Sequence, residues 1–138
     1  MSLAITSCNF NANISSDNRE QDKNDAEEIT SLMYAYLENK DFEKAHAFFS
    51  PRFFEVTPQK KLDEIFITSD KQLGTVKTRN LIKWETRVKS GTNSSSEYLL
   101  VYNVIREKFN STEMIRLEKE KNEIKIIAYN VQSDGFIK

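Results

Sequence analysis

The chain is poor in the residues that staple, ligate or cradle. It has one cysteine in 138 residues, which excludes an intrachain disulfide. His46 is the only histidine, so a zinc site built from the usual His and Cys ligands lacks its parts. No loop carries the alternating acidic spacing that would hold a hard cation. With three glycines there is no phosphate-cradling loop. No stretch approaches the roughly 18 consecutive apolar residues of a membrane-crossing helix. Charge of one sign is missing too: 20 basic and 21 acidic residues leave a net charge of −1. So little field exists to attract nucleic acid or an acidic membrane. The expectation is a chain with no cofactor, no metal site and no nucleic-acid partner.

What is present suits a soluble domain. Hydrophobic residues make up 38% and charged residues 30% of the chain, and the length fits one domain. Such a domain buries about two-thirds of its unfolded surface, enough for a core without staples.

The N-terminus carries a compact pattern. Ile5-Thr6-Ser7-Cys8 is aliphatic, small, small, cysteine, and resembles the lipobox of bacterial lipoproteins at all four positions. That resemblance implies lipid attachment at Cys8. Met1-Ser2-Leu3 has neither a charged n-region nor an apolar h-region. It reads as a vector-derived scar on a trimmed precursor, with residues 4–7 as the end of the removed signal. Residues 9–25 are nearly all polar, with only Phe10, Ala12 and Ile14 apolar among the first of them. Such a run buries too little to offset its ordering entropy and reads as a disordered tether. The division expected is 1–24 for scar, lipobox remnant and tether, and 25–138 for a single domain. The lipobox implies a lipid-anchored place in the bacterial envelope, with membrane contact through the lipid only. In that lipoprotein family an aspartate after the cysteine often marks inner-membrane retention, so the resemblance with Asn9 there implies the periplasmic face of the outer membrane more than the inner.

From Asp25 the period is helical. Asp25 and Glu28 make an acidic capping box, and Ile29, Leu32, Met33 and Tyr36 recur on one face. Asp41 is placed as the cap of a second helix running to about Ser50, ended by Pro51. A third helix follows Pro58, with Leu62, Ile65 and Phe66 apolar and Gly74 as its stop. Beyond Gly74 the period becomes two. Val76, Ile82, Trp84 and Val88 are expected on the buried face of a first strand. Lys77, Arg79, Lys83, Glu85 and Arg87 are expected on its wet face. Residues 98–105 are apolar on both faces and belong in the middle of the sheet. Residues 113–119 and 124–131 form two more strands, joined by a tight turn at Lys121-Asn122. The expected architecture is α+β, with three N-terminal helices packed on a four-stranded curved antiparallel sheet.

The segment Tyr36-Leu37-Glu38-Asn39-Lys40-Asp41-Phe42-Glu43-Lys44-Ala45, followed by Phe48-Phe49-Ser50, carries a resemblance. A helix ends, a short polar break holds Asp and an aromatic, and a new helix enters. This is similar to the cystatin-like folds and most of all to the nuclear transport factor 2-like superfamily, over residues 26–131. The resemblance implies a curved sheet wrapped around a long helix, often with a cone-shaped pocket. Some members are isomerases or dehydratases, and many only bind or dimerise. The chain resembles the group of small bacterial lipoproteins with this fold more than the enzymes. No catalytic motif comes with it.

A pocket enzyme of that kind needs a carboxylate or histidine on an otherwise apolar face. Glu85 falls on the charged side of its strand. Glu97, Glu107, Glu113 and Glu118 read as solvated alternation, and no catalytic residue is assigned. His46 is a candidate pH-sensitive donor or base, although a satisfied helix histidine is the plainer reading. Trp84, Tyr98 and Tyr102 fall on even strand positions. They could line a ligand cavity or simply fill the core. The leading expectation is a non-enzymatic envelope domain that binds a partner protein or a small apolar ligand. Alternatives are an isomerase- or dehydratase-type pocket enzyme, with His46 or an undetected carboxylate as base, and a homodimer formed through the sheet.

Overall fold

A computed structural model describes residues 14–137. The lipobox-like residues, with Cys8, and the first part of the expected tether lie outside them. The order is β1 (Ile14–Asp17), α1 (Glu20–Glu38), α2 (Phe42–Ala45), a 3-10 turn (His46–Phe48), α3 (Pro51–Val56), α4 (Gln59–Leu73), β2 (Val76–Ser90), β3 (Ser95–Arg106), β4 (Ser111–Glu120) and β5 (Glu123–Gln132). The α+β class holds, with four helices and five strands in place of three and four. All strand pairs are antiparallel, in the order β1-β2-β3-β4-β5, and the sheet is open.

The extra strand comes from the segment expected to be disordered. Ile14 pairs with Ser90 and Asp17 with Arg87. Asn18 turns the chain at φ 54°, a conformation asparagine tolerates. Its N–H donates to the Thr86 carbonyl at 2.8 Å, and its side-chain oxygen accepts from the Thr86 N–H at 3.0 Å. Helix α1 then starts at Glu20, ahead of Asp25. Arg19 holds Asp22 with two hydrogen bonds of 2.8 and 3.1 Å across that first turn. Residues 14–24 are ordered despite their polar composition, because β1 is held by backbone pairing to the edge of β2 and the first turn of α1 by the Arg19–Asp22 pair.

Helix α1 lies on the inner face of the sheet. It buries Ala26, Thr30, Met33, Tyr34 and Leu37, a stripe rotated from the expected one, and leaves Leu32 46% exposed. Two polar members of that stripe, Thr30 and Tyr34, are buried because each has a hydrogen-bond partner across the core. Pro51 does not end a helix but opens α3 at its first turn. The Ser50 hydroxyl caps it by accepting from the Arg52 N–H at 3.0 Å. Helix α4 runs as expected from Pro58 to Gly74. Gly74 sits at φ 92°, and a Cβ there would lie 2.7 Å from the Glu107 Cβ, so only glycine fits.

Strand β3 is central, as its two-sided apolarity predicts. Its inner-facing Tyr98, Leu100 and Tyr102 oppose Leu117, Ile115 and Glu113 of β4. Strand β2 departs from simple alternation. Irregularities between Val76 and Thr78 and between Leu81 and Lys83 each shift the register, and one extra residue reverses which side chains face inward. Ile82 is therefore 58% exposed, and Arg79 folds over the rings of Tyr34 and Tyr102. Lys121 and Asn122 take φ values of 48° and 68°, the paired positive angles of a tight hairpin turn. Among the described residues no helix is long and apolar enough to cross a membrane.

Candidate functional site

The interior holds a carboxylate. Glu113 lies on β4 two residues before Ile115 and four before Leu117, so the pleat turns it inward with them. It is fully buried, which overturns its reading as solvated alternation. Its Oε1 accepts from the Tyr34 hydroxyl at 2.6 Å and the Tyr129 hydroxyl at 3.0 Å. Its Oε2 accepts from Arg106 at 2.7 Å and from the Ser111 hydroxyl at 2.6 Å. The Arg106 side chain is 4% exposed. The rest of its guanidinium donates to Ser111 Oγ at 3.1 Å and to the Gly74 carbonyl at 3.0 Å. The two carboxylate oxygens offer about four acceptor sites in all, and four donors occupy them. Burial pushes the Tyr34 and Tyr129 hydroxyls well above the ordinary tyrosine range, and the Glu113 charge adds to that.

This cluster has the parts of an acid–base site without the vacancy. A general base needs a free lone pair within hydrogen-bond reach of a substrate proton. Glu113 has neither free lone pair nor access. The space beside it, lined by Phe66, Ser69, Arg106 and Tyr129 among others, measures about 10 Å³, room for roughly one water. On the other side the Arg79 guanidinium lies 4.9 Å from the Tyr34 ring centroid and donates to the Ser31 hydroxyl at 2.7 Å, covering the tyrosines. The chemistry of the cluster is cohesion. It joins α1, the C-terminal end of α4, β3, β4 and β5 through one paired charge.

The residues nominated by the sequence do not converge. Trp84, Tyr98 and Tyr102 all belong to the core or pack against it. Tyr98 and Tyr102 are buried beneath α1, and Trp84 is half-buried with the Lys23 ammonium 5.5 Å from its ring centroid. The Tyr102 hydroxyl lies 2.7 Å from Thr30 Oγ1 and donates to Glu27 at 3.1 Å. It reaches only the rim of a shallow polar groove with Glu27, Lys77 and Arg79. His46 sits elsewhere, on the 3-10 turn. Its Nε2 is 2.6 Å from Asp63 Oδ1, and its ring meets Phe54 edge-on at 6.0 Å. That pair ties the turn to α4 beside an open groove lined by Phe42, Glu43, Gln59 and Ile67.

An apolar concavity does exist, on the flank between α4 and β5. Ile65, Thr68 and Ser69 form one wall, Tyr129, Asn130 and Val131 the other, and Phe136 of the C-terminal tail closes one side, around about 290 Å³. Lys61 and Glu64 stand on its rim and pair with each other at 3.7 Å. Three consecutive β5 residues line it, so the edge of the strand, not just one face, borders the space. A larger groove of about 440 Å³ crosses the outer face of the sheet. Half of the residues lining it are charged, namely Asp17, Glu85, Arg87, Glu97, Arg116 and Glu118, so it suits hydration better than an apolar ligand. Nothing in the sequence marked the flank groove, because its two walls are 60 residues apart and meet only in the fold.

Among the described residues no three His, Cys, Asp or Glu side chains group as a metal site. No family model matches the chain, and no curated protein and no solved structure matches it.

Proposed function

We propose that this domain is a non-enzymatic binding module whose site is the α4–β5 groove, carried on the bacterial envelope by lipid on Cys8. The fold is read as cystatin-like and related to the nuclear transport factor 2-like superfamily. The observation that carries the binding reading is the contrast in occupancy. The interior carboxylate has every acceptor filled by protein donors, while the flank holds open apolar space. Ligand sites are concave and mostly apolar with a few polar groups, which describes the flank. The Ile5-Thr6-Ser7-Cys8 pattern supports the anchor.

The site is tested with N-phenyl-1-naphthylamine, a neutral apolar fluorophore. The folded chain is expected to enhance its emission saturably, and Ile65→Glu to abolish the enhancement without unfolding the domain. Unchanged enhancement in Ile65→Glu would move the site elsewhere. The anchor is tested by labelling the precursor with a tagged fatty acid, with label expected in the wild type and lost in Cys8→Ala.

A second reading has one observation in its favour. The outer face of β3 carries Val101 and, beyond Asn103, Ile105, both partly exposed, and Ile82 of β2 is 58% exposed. An apolar stripe on a sheet face suits a homodimer, which sedimentation would detect as twice the chain mass.

A further inference from the structure

We infer that the α4–β5 groove receives an extended apolar peptide, added as a strand to the outward edge of β5. This deepens the binding reading above and rests on it.

The first ground is the edge itself. Strand β5 ends the sheet, with β4 on one side only. The chain's own segment at Phe49 already begins the missing strand. Phe49 bridges Ile126 in parallel, and the Ser50 N–H donates to the Ile126 carbonyl at 2.8 Å. At Pro51 the chain leaves for α3. Among the described residues, no backbone hydrogen bond from outside the sheet reaches residues 127–132. Those residues offer about 20 Å of edge at roughly 3.3 Å per residue. An uncovered edge of this kind is a template for another strand, and strand addition draws its affinity from main-chain hydrogen bonds.

The second ground is what faces the edge. Tyr129, Val131, Ile65 and Phe136 make the groove apolar. Phe136 is set in place by its tail, where the Ile137 N–H donates to the Gln72 side chain at 2.8 Å and the Ser133 hydroxyl donates to the Asn110 carbonyl at 2.7 Å. In a strand laid along β5, alternate side chains would fall between these walls.

Charge gives the third ground. Among the described residues, the only charged ones lining the groove, Lys61 and Glu64, pair with one another. An uncharged segment matches that surface and an ionic headgroup does not.

The test uses the full chain, isotope-labelled for NMR, and a capped hexapeptide of alternating threonine and valine. Amide shifts and slowed hydrogen exchange are expected in residues 127–132 and 65–69. The same peptide methylated at every backbone nitrogen should bind roughly tenfold more weakly or worse, because neither of its edges then has donors for β5. Ile65→Glu should weaken the unmodified peptide similarly. Equal binding of both peptides would overturn strand addition while leaving an apolar groove. Failure of the unmodified peptide, with N-phenyl-1-naphthylamine still bound, would do the same. Loss of both probes would remove the binding reading as well. Shifts in residues 127–132 that depend on protein concentration alone would make the occupant a second copy of the chain and overturn the peptide.

Discussion

Tyr129 stands between two regions that treat polar groups in opposite ways. Its hydroxyl points into the cluster around Glu113, where four donors meet two carboxylate oxygens and Arg106 carries the compensating charge. Its residue also lines the flank groove, where the β5 edge runs past Ile126 without a strand beside it. The interior region is rich in ionisable chemistry and closed. The flank is poor in it and open. In a domain of this size, a buried carboxylate among tyrosines is therefore no guide to a reactive site unless an acceptor or a cavity is left over. Recognition falls to the place where the backbone and apolar walls are unsatisfied.

The comparison breaks most directly at the buried ion pair. Glu113→Ala or Arg106→Ala leaves one charge without its partner, and each should cost about 3–5 kcal/mol in urea unfolding. The double variant Glu113→Leu with Arg106→Met should lose less than the sum of two single removals, since neither buried charge is then orphaned. A loss under about 1 kcal/mol for Glu113→Ala would show the cluster to be incidental to cohesion.

A smaller effect is expected from Tyr34→Phe, which removes one donor from Glu113 Oε1. The cost should be about 1–3 kcal/mol. Its pH dependence follows from the raised hydroxyl. Tyr34 and Tyr129 resist ionisation in the folded state relative to the ordinary value of 10.0. Their contribution is thus complete below about pH 10 and is lost as pH rises beyond it. Urea midpoints from pH 8 to 11.5 should fall at the alkaline end in the wild type, and less steeply in Tyr34→Phe.

Ser50→Ala removes the cap of α3 and the 2.6 Å hydrogen bond to Glu120, and should lower stability by about 1 kcal/mol. Thermal unfolding measures it. At the small end, Ile65→Glu changes a half-exposed position on α4. It should cost about 1 kcal/mol or less and yet abolish binding of the apolar probe. That pairing of small stability loss with complete loss of binding sharpens the contrast with Glu113, where the order is reversed.

Much of the framework was legible. Pro58 and Gly74 bracket α4, the two-sided apolarity of residues 98–105 puts β3 in the middle, and Lys121-Asn122 makes the last hairpin. These signals are local, and local chemistry decides them. The misses share a cause in tertiary pairing. Strand β1 exists because the β2 edge offers it hydrogen bonds. The α1 stripe includes Thr30 and Tyr34 because Tyr102 and Glu113 wait across the core. Arg79 and Ile82 exchange faces because bulges reset the β2 register, which no alternation rule foresees. Pro51 after Ser50 could have been read as a cap and first turn. Glu113 was within reach, since it shares parity with Ile115 and Leu117 and differs from them only in charge. The flank groove was not, because Ile65 and Val131 become neighbours only when α4 is laid against β5.

Amide shift mapping with N-phenyl-1-naphthylamine tests the central claim most directly. Changes concentrated at Ile65, Thr68, Asn130, Val131 and Phe136, with Tyr34, Arg106 and Glu113 unmoved, are the predicted result. Changes centred on Tyr34, Arg106 and Glu113, with the flank silent, would mean that the interior opens to ligands and would contradict the account.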